Sequence, residues 1–202
     1  MEKNIVQLAA DYTDLLFKEQ MSAKLLYHNK AHTQSVREVA LLLAKHYQVT
    51  PLELEILELA ALFHDLGYIT VYTGHEAVSQ DMASVFLKKY NYPASLIQQV
   101  QALIGATHIQ QQPTNLLEEI IKDADLNNVG QGKYLRTIHN LRTELDTFLD
   151  QQFKDIAWYQ ANIKFLDSHS FFTEKAEELF RKKKKSNRKK VKKLIKSLKS
   201  GL

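Results

Sequence analysis

The chain has 202 residues, 45% of them apolar, enough for one domain to bury a core, and no apolar run nears the roughly 18 residues of a membrane span. It has no cysteine, so disulfides and thiolate metal sites are excluded, and any metal site must be built from histidine and carboxylate. The formal net charge of +4 hides a division: residues 181–202 hold 12 of the 27 Lys and Arg and none of the 23 acidic residues, which leaves −8 on the first 180 and argues against a broad nucleic-acid-binding face there.

Helical spacing of apolar residues dominates, and only six glycines and three prolines punctuate it. Ile5 to Phe17 reads as a first helix. His32 to Tyr47 reads as a second, with Val36, Val39, Ala40 and Leu43 on one stripe. Thr50-Pro51 gives an N-cap and a first-turn proline for a third helix, which runs to His64-Asp65, with Gly67 as its stop signal. Gly74 opens a fourth, carrying His75, and Pro93 a fifth, leading to His108. Pro113-Thr114 starts a sixth that ends near Asp125. Further helices cover about 133–150 and 153–167, and a last one begins after Phe172. The aromatics between Trp158 and Phe172 read as core packing. The expected fold class is all-α, a bundle of about eight or nine helices. The expected domains are 1–180 and a basic, helical tail over 181–202. The N-terminus, Met1-Glu2-Lys3-Asn4-Ile5, lacks the basic-then-apolar layout of a signal peptide, which with the lack of cysteine points to the cytoplasm.

His64-Asp65 closes the apolar run Leu57-Glu58-Leu59-Ala60-Ala61-Leu62-Phe63. Burying two such side chains is costly unless something pairs with them, and a divalent cation would do so. His28 and His32 precede the pair, and His75, His108 and Asp125 follow it. This order, H…HD…H…H…D, resembles the HD superfamily of metal-dependent phosphohydrolases from about Tyr27 to Asn128. The resemblance implies an HD-domain helical bundle in which His32, His64, Asp65 and Asp125 hold a divalent ion. Asp125 is preferred to Asp123 because the family pattern reads Ala-Asp followed by an apolar residue. Asp123 then supports the site or touches substrate. His75 and His108 match positions that bind a second ion, with Asp65 bridging, or that bind substrate phosphate. Histidine and carboxylate ligands admit Mn, Fe, Mg, Co, Ni or Zn, one or two per chain.

Tyr27-His28-Asn29-Lys30-Ala31-His32 resembles the Y-H-N-x-x-H signature of cyclic-nucleotide phosphodiesterases. That resemblance makes His28 the general acid, which with Asp65 forms the expected catalytic pair. On a helix, His28 and His32 would share one face. The competing explanation is that Tyr27 and Asn29 only cap the helix carrying His32. Ala124-Asp125-Leu126-Asn127-Asn128 is similar to the Ala-Asp-Leu-Ser-Asn of those enzymes and puts Asn128 near the site. His46, His139 and His169 are read as structural or solvent-exposed. After the pair, Tyr68 stands where the HD-GYP class carries lysine, and Ile69-Thr70 stand where hydrolases of guanosine tetraphosphate carry acidic residues.

The function these residues imply is metal-activated water acting on a small phosphoester, with a nucleotide as the leading candidate. The alternatives are a cyclic-nucleotide phosphodiesterase and a metal-bound module that senses nucleotides without turnover. In the tail, Val191, Leu194, Ile195 and Leu198 fall at helical spacing within a lysine-rich stretch. Anionic lipid, RNA or an acidic partner would suit it, and so would packing of the apolar stripe on the body.

Overall fold

The computed structural model describes residues 4–200, and among them nine α-helices and two 3-10 turns account for the regular structure, with no strand. The chain divides into two compact units, Met1–Asp125 and Leu126–Leu202.

The first unit is built around α3 (Pro51–Phe63). Thr50 and Glu53 form a reciprocal capping box at its start, with Pro51 in the first turn, so its N-terminal donors are satisfied locally. Beyond Glu58 the helix is apolar on every side. Ile56, Leu57, Leu59, Ala60, Ala61, Leu62 and Phe63 are all buried, as expected of a core helix. Around it pack α1 (Ile5–Glu19), α2 (Lys30–Tyr47), α4 (His75–Lys89), α5 (Ala94–Ala106) and α6 (Leu116–Asp125). Arg37 of α2 grips the Glu58 carboxylate of α3 through Nε (2.8 Å) and a terminal nitrogen. A 3-10 turn over Leu66–Ile69 joins α3 to the loop before α4.

Gly67 is no left-handed helix stop. It lies inside that 3-10 turn, where an added Cβ would sit 2.0 Å from the main-chain oxygen of His75. Glycine there permits a close backbone approach between the turn and the start of α4. Gly74, by contrast, takes φ +74° as the N-cap of α4, a conformation that favours glycine.

The second unit comprises a 3-10 turn (Leu126–Gly130), α7 (Tyr134–Leu149), α8 (Asp155–Ser168) and α9 (Glu174–Lys199). Tyr134, almost fully buried, donates to Asn162 Oδ1 at 3.1 Å, and Asn162 donates to the Trp158 carbonyl. The basic stretch is not a separate helix. It continues α9 without a break, and Phe180, Asn187 and Val191 are buried. Asn187 donates from one amide nitrogen to the carbonyls of Val129 (2.9 Å) and Gln131 (2.7 Å). The apolar stripe that continues past residue 180 is therefore, as far as Val191, part of a packed unit. None of the helices among the described residues is long and apolar enough to cross a membrane.

Candidate metal centre

Three elements of the first unit converge on one point. α2 delivers His32 from its first turn, the end of α3 delivers His64 and Asp65, and α6 delivers Asp125 from its last residue. His32 Nε2, His64 Nε2 and Asp125 Oδ1 lie close enough to surround one ion, all within 4.8 Å of one another. His64 is fully buried, and His32 and Asp65 nearly so.

The donor set suits a divalent cation. His64 Nδ1 lies 2.9 Å from the Ala61 carbonyl, so Nδ1–H donates there and Nε2 is left to face the cluster. The two Nε2 atoms of His32 and His64 face each other at 3.4 Å. Asp65 Oδ2 sits 3.3 Å from His32 Nε2 and 3.2 Å from His64 Nε2, and Asp125 Oδ1 lies 3.0 Å from His32 Nε2. Oδ2 of Asp65 is buried without a hydrogen-bond partner, and a buried carboxylate oxygen left so is expensive unless a cation serves it.

The electrostatics agree. Burial alone would lower the His64 pKa, but Asp65 and Asp125 outweigh it and hold it well above the usual imidazole value. Burial would raise the Asp65 carboxyl, yet His64, His75 and His32 keep it well below the ordinary carboxylate range. Asp125 is likewise depressed, its burial overridden by His32 and His64. The pocket thus favours positive charge at the point where its nitrogens and oxygens meet.

Asp65 also looks the other way. Its Oδ1 lies 3.5 Å from His75 Nε2, and His75 Nδ1 lies 3.5 Å from Glu76 Oε2. Gly67 N–H donates to the buried Ser79 Oγ at 2.8 Å, which ties the turn after Asp65 to the helix that carries His75.

His28 is beside the cluster but not on the helix. Asn29 is the N-cap of α2, its Oδ1 accepting from the N–H groups of Ala31 and His32, so His28 lies in the preceding loop. The expectation of a shared helical face fails for this reason, and Asn29 has the capping role. The His28 ring is 6.0 Å from that of His32 and 6.3 Å from that of His75. Tyr68 stacks between His28 (4.2 Å) and His75 (3.8 Å), with its hydroxyl 3.2 Å from His28 Nε2. Burial, then the nearby charge of Asp65, pushes the Tyr68 phenol far above its usual pKa, so it stays protonated beside His28. Tyr27 and Tyr72 complete an aromatic collar around His28, at 4.6 and 6.2 Å.

His108 does not join this group. It lies on an exposed turn past the end of α5, where its Nδ1 accepts from Gln110 N–H, and it makes no contact with the cluster among the described residues. Asp123 is buried in α6 but is not one of the convergent donors. Asn128 lies in the 3-10 turn that opens the second unit. Sequence reasoning missed Lys122. It is buried beside Asp123, and its Nζ donates to the carbonyls of Ala106 (3.0 Å) and His108 (2.7 Å), closing the C-terminal end of α5. Burial lowers its pKa, against the pull of Asp125 and Glu76. The available signal was a lysine directly before Asp-Ala-Asp, straight after the apolar pair Ile120-Ile121.

Residues 30–126 match the family model described as HD domain. A search of curated proteins found no match. Among solved structures, the chain is similar to the crystal structure of the Lin1889 protein from Listeria innocua, with 18% identity, a TM-score of 0.68 and 96% of each chain covered. At that identity the likeness concerns the fold.

Proposed function

Because residues 30–126 form an HD domain, we propose that this protein is a metal-dependent phosphohydrolase that cleaves a small phosphoester, a nucleotide in the first instance. The observation that carries this reading is the meeting of His32 Nε2, His64 Nε2 and Asp125 Oδ1 around the unpartnered Oδ2 of Asp65. These four side chains would hold one ion among Mn, Fe, Mg, Co, Ni and Zn. When bound, a divalent ion lowers the pKa of a coordinated water and neutralises phosphoryl oxygens.

The chain's own residues supply the rest. Asp65 directs one oxygen to His32 and His64 and the other to His75, which suits a bridging role if a second ion or a phosphate oxygen sits beside His75. His108 would have to move to take part. His28 is the general acid, passing a proton from its ring to the departing oxygen, a task that imidazole side chains perform most often. Tyr68 fixes the His28 ring by stacking and by its hydroxyl, which must give way when substrate arrives. The tyrosine collar supports a nucleotide over a simple phosphomonoester, since every base has a face that stacks on an aromatic ring.

The test is product analysis on a panel of cyclic, mono-, di- and triphosphate nucleotides with added manganese, using Asp65→Ala as control. Turnover lost in the control supports the hydrolase. Cleavage restricted to cyclic members narrows it to a cyclic-nucleotide phosphodiesterase, the reading the Tyr27–His32 pattern suggests. Tight nucleotide binding without turnover would replace the hydrolase with a sensing module.

A further inference from the structure

α9 runs for 26 residues as one helix, about 39 Å at 1.5 Å per residue, and two opposed faces divide it. Ala176, Phe180, Asn187 and Val191 are buried in the second unit. On the other side, Lys182, Lys185, Lys189, Lys192, Lys196 and Lys199 are all exposed, spaced alternately three and four apart. At about 100° per residue that spacing keeps them in one stripe roughly 100° wide, opposite the buried face. None of the six makes a hydrogen bond or ion pair among the described residues, whereas Arg181, Arg188 and Lys184 are engaged with Glu177, Asp167 and the His169 carbonyl. Lys183, Lys190 and Lys193 flank the stripe and are also exposed, so positive charge covers about 200° of the helix surface.

The second unit carries 18 basic residues against 8 acidic, while the first carries 9 against 15, so the charge belongs to the second unit rather than to the chain as a whole. Holding so many like charges on a rigid helix costs self-repulsion, which a polyanion would relieve.

We propose that the outer face of α9 binds double-stranded DNA through its phosphates, without reading sequence. Two features favour a duplex over an anionic membrane. A helix that lies on a bilayer inserts its apolar face, and here the apolar face is occupied by the protein's own core as far as Val191. A flat surface also meets only one side of a cylinder, whereas the walls of a major groove, about 12 Å wide, flank a helix of 10–12 Å diameter on both sides. Lysines spread over half the circumference match two walls of phosphate. Along the axis the six stripe lysines span about 25 Å, with a mean step of about 5 Å.

Fluorescence anisotropy of a labelled mixed-sequence duplex, titrated with the full-length protein over a series of salt concentrations, tests this. Neutralising about six phosphates gives a slope of log affinity against log salt near −5, at about −0.9 per contact. The variant Lys185→Gln/Lys189→Gln/Lys192→Gln/Lys196→Gln, checked for native helicity by circular dichroism, should bind at least tenfold more weakly with a slope near −2. The same four positions changed to arginine should keep the wild-type slope. An unchanged affinity and slope in the glutamine variant would overturn the assignment. So would tighter binding to phosphatidylserine vesicles than to duplex at equal phosphate, which would make the face a membrane surface, or tenfold tighter binding to a single-stranded oligonucleotide, which would remove the groove.

Discussion

Gly67→Ala isolates the contact that joins the two halves of the candidate site. The new Cβ would lie 2.0 Å from the His75 carbonyl oxygen, 2.8 Å from its carbonyl carbon and 3.0 Å from its Cα. Against a comfortable separation of about 3.5 Å, the main chain must part by about 1.5 Å, and no side-chain rotation relieves a clash with backbone. Metal ligation tolerates about 0.2 Å, so the facing of Asp65 Oδ1 and His75 Nε2 at 3.5 Å would be lost. Overpacking costs about 1–3 kcal/mol, and disturbing the buried Gly67 N–H to Ser79 Oγ bond adds about 1 kcal/mol. Urea unfolding should therefore show about 2–4 kcal/mol of lost stability through a lower midpoint at unchanged slope. Hydrolysis by the folded fraction should fall more than tenfold. A loss under about 0.5 kcal/mol with unchanged activity would mean that the turn after Asp65 and the start of α4 do not meet as described.

Asn29→Ala removes the cap of α2, and thermal melts should show a loss of about 1–2 kcal/mol that Asn29→Ser largely restores; equal losses in both variants would mean that Asn29 does not act through capping. Tyr68→Phe keeps the stacked ring but deletes the hydroxyl next to His28 Nε2, so kcat should change several-fold with metal affinity unaltered, and a change confined to metal affinity would contradict the positioning role. His169 is half-buried, with both ring nitrogens shielded from solvent and unpartnered, and burial, then Lys184, depresses its pKa to about 4. The unfolded chain, with a histidine pKa of about 6.5, then binds more protons, so stability falls as pH drops from about 6.5 and the loss is complete near pH 4. Melting temperatures at pH 7.5 and 4.5 should drop less for His169→Phe than for wild type, and equal drops would refute the assignment.

His64, Asp65 and Asp125 of the candidate centre were legible because each carries a local signal. His64-Asp65 ends an apolar helix where charge is anomalous, and Asp125 ends another. The sequence could not reveal that Asn29 spends its side chain on the α2 cap and so leaves His28 in a loop, since Y-H-N-x-x-H is equally compatible with a continuous helix. His108 follows α5 by two residues, and whether the chain there turns inward or out to solvent depends on tertiary contacts such as the Lys122 ammonium on the His108 carbonyl. Gly67 looked like a helix stop because a helix end and a close backbone approach both favour glycine. The basic stretch looked like an appendage because charge conceals the sparse buried positions; Asn187, the residue that ties it down, is polar and drew no attention.

Calorimetric titration of manganese into chelator-treated protein, with His64→Ala, Asp65→Ala and His28→Ala in parallel, tests the proposed centre most directly. Wild type and His28→Ala should bind at least one ion per chain with similar affinity, and His64→Ala and Asp65→Ala should lose that binding. Undiminished binding in His64→Ala and Asp65→Ala, or its loss in His28→Ala alone, would contradict the centre assigned to His32, His64, Asp65 and Asp125.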